Sequence, residues 1–351
     1  NHKLTIIMKK LITLMSLAVV SLSFGQEEEP KFNFSGSVDA YFRTNMTSGN
    51  DGGAGQAPPS SFVDTPGFSL GMANVVASYE GETVGFVADL MFGPRADAAI
   101  LDDANPINQM YMYWNVNDKL TLTMGRFNTF YGYEVISTPG NFNYSTSHLF
   151  SFGPFSHNGI KADYDLGNDW TTMVAIMNPT DVTTSNPTGD YAVGFQLGYK
   201  GQYFNVLESQ GTLGIDFTGG FDLTDNFYLG VNAAKQTYDE GEGTDFYGVA
   251  LYPQFTSSDT FSWGMRLEYF TLEEAAPNGD DLSVFTPTLT ANYSVGDLLI
   301  KPEIRLDSAS EDLFTDADGG PTGALSSFVL GAVYTLSLIH ISEPTRRGII
   351  A

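Results

Sequence analysis

The chain has 351 residues, no cysteine and 42% hydrophobic content, with 16 Lys and Arg against 41 Asp and Glu for a formal charge of −25. So acidic a chain excludes nucleic acid as a partner and excludes docking on an anionic membrane through a basic face, since both need clustered Lys and Arg. The lack of cysteine removes disulfide frameworks and thiolate metal sites, and no apolar run beyond the N-terminus is long enough for a membrane helix.

Met8-Lys9-Lys10 opens a basic region, Leu11 to Val20 is apolar, and Ser23-Phe24-Gly25 places small residues for cleavage after Gly25. Residues 1–25 therefore read as upstream read-through followed by a secretion signal, shorter in its apolar run than a spanning helix. At the other end, the stretch from Leu336 to Arg346 resembles a translated sequencing-library adaptor, so 336–351 is set aside as non-native. Without Lys3, Lys9, Lys10, Glu343, Arg346 and Arg347, the formal charge becomes about −29.

Between these ends the period is two. Phe32, Phe34, Val38, Ala40 and Phe42 alternate with Asn33, Ser35, Asp39, Tyr41 and Arg43. The same alternation recurs at Val84–Phe92, Phe227–Ala233, Phe261–Tyr269, Leu298–Asp307 and Phe328–Tyr334. The segment Tyr191–Lys200 states it most plainly. Tyr191, Val193, Phe195, Leu197 and Tyr199 share one face, and Ala192, Gly194, Gln196, Gly198 and Lys200 the other. Two tyrosines eight steps apart on a tilted strand stand roughly 20 Å apart in height, which matches the apolar band of an outer-membrane barrel with its aromatic girdles. Tyr191, Tyr199, Phe261, Trp263 and Tyr269 are the expected lipid-facing aromatic belt.

Short polar turns (80–82, 117–118, 167–169, 224–226, 257–259, 296–297) alternate with long Gly-, Pro- and Asp-rich connections (about 45–66, 93–106, 129–156, 179–189, 271–283, 308–325). The strands predicted between them number about sixteen: 32–44, 67–79, 83–92, 107–116, 119–128, 157–165, 169–178, 190–200, 202–208, 212–222, 226–237, 245–255, 260–270, 284–294, 297–307 and 326–335. Fourteen follows if 202–208 and 157–165 are not strands. The fold class is all-β, a transmembrane antiparallel up-and-down barrel over 26–335, closed so that no strand edge meets hydrocarbon. A barrel this wide is expected to hold water. Asp316-Ala317-Asp318-Gly319-Gly320 reads as a solvated turn, lacking the spaced ligands and final Glu of a calcium loop.

The most distinctive stretch is Gly125-Arg126-Phe127 through Gly132-Tyr133-Glu134 to Asn143-Tyr144-Ser145, followed by Pro154-Phe155-Ser156-His157-Asn158-Gly159. These elements resemble the β-barrel porin-2 or OmpL-like family, which has a Gly-Lys/Arg-Phe strand end, a Gly-Tyr-Glu step, an Asn-Tyr-Ser element and a Pro-x-x-His-x-Gly approach to the next strand. The resemblance is clearest over 107–200. It implies an outer-membrane channel and assigns no solute.

Loop 129–156 carries eight aromatics, too many for disorder. It either folds into the lumen and narrows it, with Glu134 at the constriction, or packs among the outer loops. Arg43, Lys161, Arg266, Lys301 and Arg305 fall on the polar face with Asp163, Glu268, Glu303 and Asp307, and Arg126 has ambiguous parity. A lipid-facing charge near the midplane costs about 2–4 kcal/mol, so these are the expected pore-lining residues.

The function expected is passive diffusion of small hydrophilic solutes or ions through an outer-membrane porin after signal-directed export, with weak cation preference. The first strand begins near the mature start, which leaves no plug domain and favours passive transport. The rival is a surface barrel acting through its loops as an adhesin or glycan-binding protein. A barrel enzyme built on His148 or His157 is a third and weaker reading. No cofactor or metal is implied. The expected partners are outer-membrane lipid and lipopolysaccharide, the barrel assembly machinery and the solute, with a homotrimer as one assembly.

Overall fold

The computed structural model describes residues 31–100, 106–182, 184–240, 243–277 and 279–337. The expected secretion signal and all but the first two residues of the adaptor-like tail lie outside the described residues. Sixteen strands close into one antiparallel barrel. They are β1 (Lys31–Asn45), β2 (Gly67–Glu80), β3 (Val84–Phe92), β4 (Ile107–Asn117), β5 (Leu120–Asn128), β6 (Ser156–Gly167), β7 (Trp170–Met177), β8 (Ala192–Tyr199), β9 (Gln202–Ser209), β10 (Thr212–Thr224), β11 (Phe227–Tyr238), β12 (Phe246–Ser258), β13 (Phe261–Leu272), β14 (Leu282–Val295), β15 (Leu298–Ala309) and β18 (Ala324–Ser337). A small hairpin of β16 (Phe314–Thr315) and β17 (Pro321–Thr322) stands in the last long connection, where Asp316 Oδ1 accepts from the amides of Asp318 and Gly320. Two short helices, α1 (Pro94–Ala99) and α2 (His148–Phe152), lie in connections.

β9, the weakest expected strand, pairs with both β8 and β10. Its two turns explain why it was hard to see. Lys200-Gly201 and Gln210-Gly211 each place two consecutive residues at positive φ, the tight hairpin geometry that fits strand twist. The second of these turns sits at the end of the barrel where the other connections are long. That end is the loop end below, and the opposite end is the turn end.

The barrel closes where β1 meets β18, with Ala40 opposite Ala332. β18 runs to Ser337, two residues past the expected boundary at Thr335, with Leu336 opposite Gly36. Ladder bonds are backbone bonds, so the strand continues whatever side chains follow.

The outer surface is the apolar face predicted by parity. Val193, Phe195, Tyr191, Tyr199, Phe261, Trp263 and Tyr269 are all exposed. At the turn end the aromatics stack across strands: Trp170 on Tyr199 at 4.6 Å, Phe227 on Phe255 at 4.4 Å and Phe255 on Trp263 at 4.6 Å.

The lumen is largely occupied: wall residues Thr286, Thr288 and Thr290 are fully buried. The segment 129–155 enters the barrel and packs on its inner wall, as α1 and Phe62-Val63 do. One apolar cluster gathers Tyr41, Met72, Met91, Ile136, Tyr144 and Phe150. The other gathers Tyr131, Leu149, Met177, Leu207, Phe246 and Phe270. A barrel of this strand number leaves space for water only where no other part of the chain fills it.

Candidate functional site

The inward segment is seated by glycines. A Cβ added to the wall at Gly194 would lie 2.5 Å from the Phe130 ring, and one at Gly214 3.0 Å from Tyr131. The same holds at Gly230 against Tyr133 (2.3 Å), Gly264 against Phe142 (2.8 Å) and Gly331 against Tyr144 (2.3 Å). Each glycine is a socket that lets a ring lie against the strand backbone. Gly194, on the small face of β8, therefore receives a ring, where a wide bore would have left it facing water.

The wall charges then hold the segment's backbone. From β15, Glu303 accepts from the amides of Tyr144 (2.8 Å) and Ser145 (3.1 Å). From β13, Glu268 accepts from the amides of His148 (3.0 Å) and Leu149 (2.8 Å), which open α2 and have no partner within it. The carbonyls run to cations. Lys301 Nζ donates to Asn141 O (2.5 Å) and Phe142 O (3.3 Å), Arg266 to Ser145 O (2.7 Å) and Arg305 to Thr146 O (2.8 Å). The peptide groups of 141–149 would otherwise be buried without partners, and the charges without counter-charges. Each costs several kcal/mol alone, so together they satisfy one another.

Glu134, at the start of the segment, meets Arg266 at 2.8 Å and accepts from Ser147 N at 2.7 Å. Arg305 forks onto Asp307 at 2.9–3.1 Å, and His148 Nε2 lies 3.3 Å from the same carboxylate. Asn141 folds 135–141 into a small loop, accepting from Val135 N (2.9 Å) and donating to Val135 O (2.7 Å). Burial pushes the hydroxyls of Tyr131, Tyr133 and Tyr144 far above the usual tyrosine range, so they remain protonated. Tyr144 donates to Asp39 at 2.6 Å.

The eleven pore-lining or constriction candidates thus separate. Glu134, Arg266, Glu268, Lys301, Glu303, Arg305 and Asp307 converge on one buried cluster, facing the segment instead of pore water. Arg43 is buried too, donating to Gln56 O (3.0 Å) and Asp64 O (3.2 Å) of the first long connection. Arg126 shares the register of exposed Met124 but is buried at the loop end of β5, 3.4 Å from Ser156 Oγ. Only Lys161 and Asp163 remain half-buried, paired at 2.8 Å. Parity concerns only direction and says nothing of what occupies the inside.

Two anchoring residues escaped sequence reasoning. Arg95 on α1 donates to Tyr144 O (3.0 Å) and lies 4.5 Å over the Phe62 ring. Asp216 accepts from Gly132 N (3.1 Å), Asn205 (2.7 Å) and Asn232 (2.6 Å). A lone Arg in an acidic, Ala-rich connection was the available signal for the first; an inward Asp among glycines was the signal for the second.

Two recesses lie at the two ends of the barrel. At the loop-end rim a cleft of about 710 Å³ is lined by Asp190, Glu208, Asp239 and Glu240 with no basic residue. At the turn end a recess of about 470 Å³ opens between the segment and β11–β15. Among the described residues the histidines are His148 and His157, and both are buried. His157 Nε2 lies 2.9 Å from Thr129 Oγ1.

The profile of the "Putative beta-barrel porin-2, OmpL-like" family matches residues 31–336. No sequence relative was found among curated proteins. Solved structures of similar fold include an anion-selective porin from Comamonas acidovorans, with TM-score 0.61 and 10% identity over 88% of this chain and 100% of that one. The outer-membrane channel DcaP of Acinetobacter baumannii gives 0.57 and 12% over 89% and 99%. OmpT of Vibrio cholerae in its trimer form gives 0.53 and 14% over 88% and 99%.

Proposed function

The chain belongs to the putative beta-barrel porin-2, OmpL-like family of outer-membrane β-barrels, and from that premise we propose that it passes small hydrophilic solutes or ions by passive diffusion past a constriction made by 129–155. The observation that carries this is the charge-latched segment inside a closed barrel. It occupies much of a sixteen-strand lumen, with a recess against it at the turn end and a cleft at the loop-end rim.

Weak cation preference belongs to the same proposal. The carboxylates of Asp190, Asp239 and Glu240 at the loop-end cleft attract cations before they reach the constriction, while Glu208, opposite outward-facing Val193, stands on the outer side of the rim. Most wall charge is spent on the segment's own backbone, so the rim is the better candidate for selectivity. The anion selectivity of the Comamonas porin belongs to that protein; at 10% identity only its fold is shared. A homotrimer is the assembly proposed, supported by the trimeric form of one similar structure.

Planar-bilayer recording in a salt gradient tests these points together. Step openings with a reversal potential of cation sign are expected. Replacing Asp190, Asp239 and Glu240 by their amides should bring the reversal potential toward zero. A deletion of 130–152 should raise unitary conductance several-fold. Absence of openings, or unchanged conductance in the deletion, rejects the channel or the constriction respectively.

A further inference from the structure

The turn-end recess has a lining more particular than passage of water and ions requires. Its wall is Tyr228 on β11, Gln254 on β12, Ser262 on β13 and Asn292 and Ser294 on β14, and its roof is Tyr133 with 139–142. These wall groups stand side by side, with Tyr228 opposite Gln254 and Ser262 opposite Asn292 in the ladder. The roof is held rigidly. Tyr133 stacks on Tyr252 at 4.3 Å and donates to the Tyr228 hydroxyl at 3.2 Å, and Phe142 sits in the Gly264 socket.

The recess offers aromatic rings, carboxamides and hydroxyls, and no available charge. Its single charged lining residue is Lys301, whose buried ammonium is committed to Asn141 O and Phe142 O. Asn292 is 7% exposed; its Nδ2 donates to Phe142 O at 3.1 Å, while its Oδ1 is buried with no partner among the described residues. An acceptor in that state favours a ligand that brings a donor. An anionic solute would need an uncommitted cation, and a cationic one a carboxylate; the lining supplies neither.

We propose that this recess is a binding subsite for a neutral saccharide, whose C–H faces lie on the Tyr133, Phe142 and Tyr228 rings and whose hydroxyls meet Gln254, Asn292, Ser262 and Ser294. A volume near 470 Å³ lies within the range of small-ligand pockets. The inference names a solute class for the proposed channel and rests on that reading for the solute's route, though not for its binding.

The test uses the full chain in a sugar-free detergent, with sucrose as probe and gluconate as the charged control. Binding is followed by saturation-transfer NMR and titration calorimetry, with bilayer conductance recorded on the same preparation. Sucrose should bind and gluconate should not. Asn292→Leu and Gln254→Ala should each weaken sucrose binding at least tenfold, and Glu208→Gln at the opposite rim should leave it unchanged. Heat-modifiable migration on gels checks that each variant is folded, and Gln254→Ala leaves the Phe142 contact of Asn292 intact. No sucrose binding, equal gluconate binding, or binding unaltered in both variants overturns the subsite. Sucrose binding without step openings keeps the subsite and removes the channel reading; openings without sucrose binding do the reverse.

Discussion

Replacing Glu268 and Glu303 together by glutamine should release segment 129–155 from the lumen wall without unfolding the barrel. Each carboxylate accepts two backbone amides, at 3.0 and 2.8 Å for Glu268 and at 2.8 and 3.1 Å for Glu303. Glutamine keeps the shape and one oxygen, but it turns an NH₂ toward the second amide, so donor meets donor. One charge-assisted bond is lost at each site, worth about 1.5–3 kcal/mol, or about 3–6 kcal/mol for the pair. At about 1.4 kcal/mol per decade, the released fraction should rise by roughly 10² to 10⁴. The interstrand ladder is untouched, so heat-modifiable migration should match the parent. The assay is unitary conductance in planar bilayers, with limited proteolysis from the loop side. A higher conductance level and new cleavage between residues 129 and 155 are expected. A double variant with parental conductance and no new cleavage would show that wall carboxylates do not hold the segment.

Other outcomes follow from single contacts. Gly331→Leu places carbon where Tyr144 lies, with the Cβ only 2.3 Å from the ring, and should produce the same higher conductance level by expelling Tyr144 from its socket. Burial pushes the Asp181 carboxyl up to about 6 although its Oδ1 accepts from the amides of Phe155 (2.9 Å) and Ser156 (2.8 Å). The folded state therefore holds the proton more tightly than the unfolded one. The stability linked to it is complete below about pH 4 and is lost as pH rises through about 6. Amide exchange at 155–156, corrected for intrinsic rates, should show protection falling over that window, and Asp181→Asn should flatten it. Phe195→Arg, at the middle of the outward face of β8, should cost about 2–4 kcal/mol in reversible folding into lipid vesicles; a neutral result would place that face away from lipid.

Period-two alternation was enough to place every barrel strand to within a few residues at its ends, because one face of each must be apolar and the other not. Loop 129–156 could be singled out by its length and its aromatics. The latch could not be read. Arg266 and Glu303 have inward parity, but nothing in a strand pattern distinguishes a charge facing water from one facing a folded-in peptide. Gly194 and Gly331 carry the same ambiguity: a missing side chain marks open space and a socket equally well. Arg126, ambiguous by parity, is buried at the loop end of β5. The turn-end recess has no sequence signal at all, since Gln254, Ser262 and Asn292 become neighbours only through the register of three strands.

The latch also ties the segment to the closed ring. Glu134 pairs with Arg266, 132 residues later in the chain, and the amide of Tyr144 binds Glu303 at a separation of 159. The Gly331 socket for Tyr144 lies on the last strand. Without β13 and β15 the aromatic segment lacks Arg266, Glu268, Lys301, Glu303 and Arg305. Contacts so distant in sequence cost loop-closure entropy before they reward it, so the seat of the segment is complete only when β13, β15 and β18 all stand in the ring. The narrowing of the lumen is therefore a property of the closed barrel and of no shorter run of its strands.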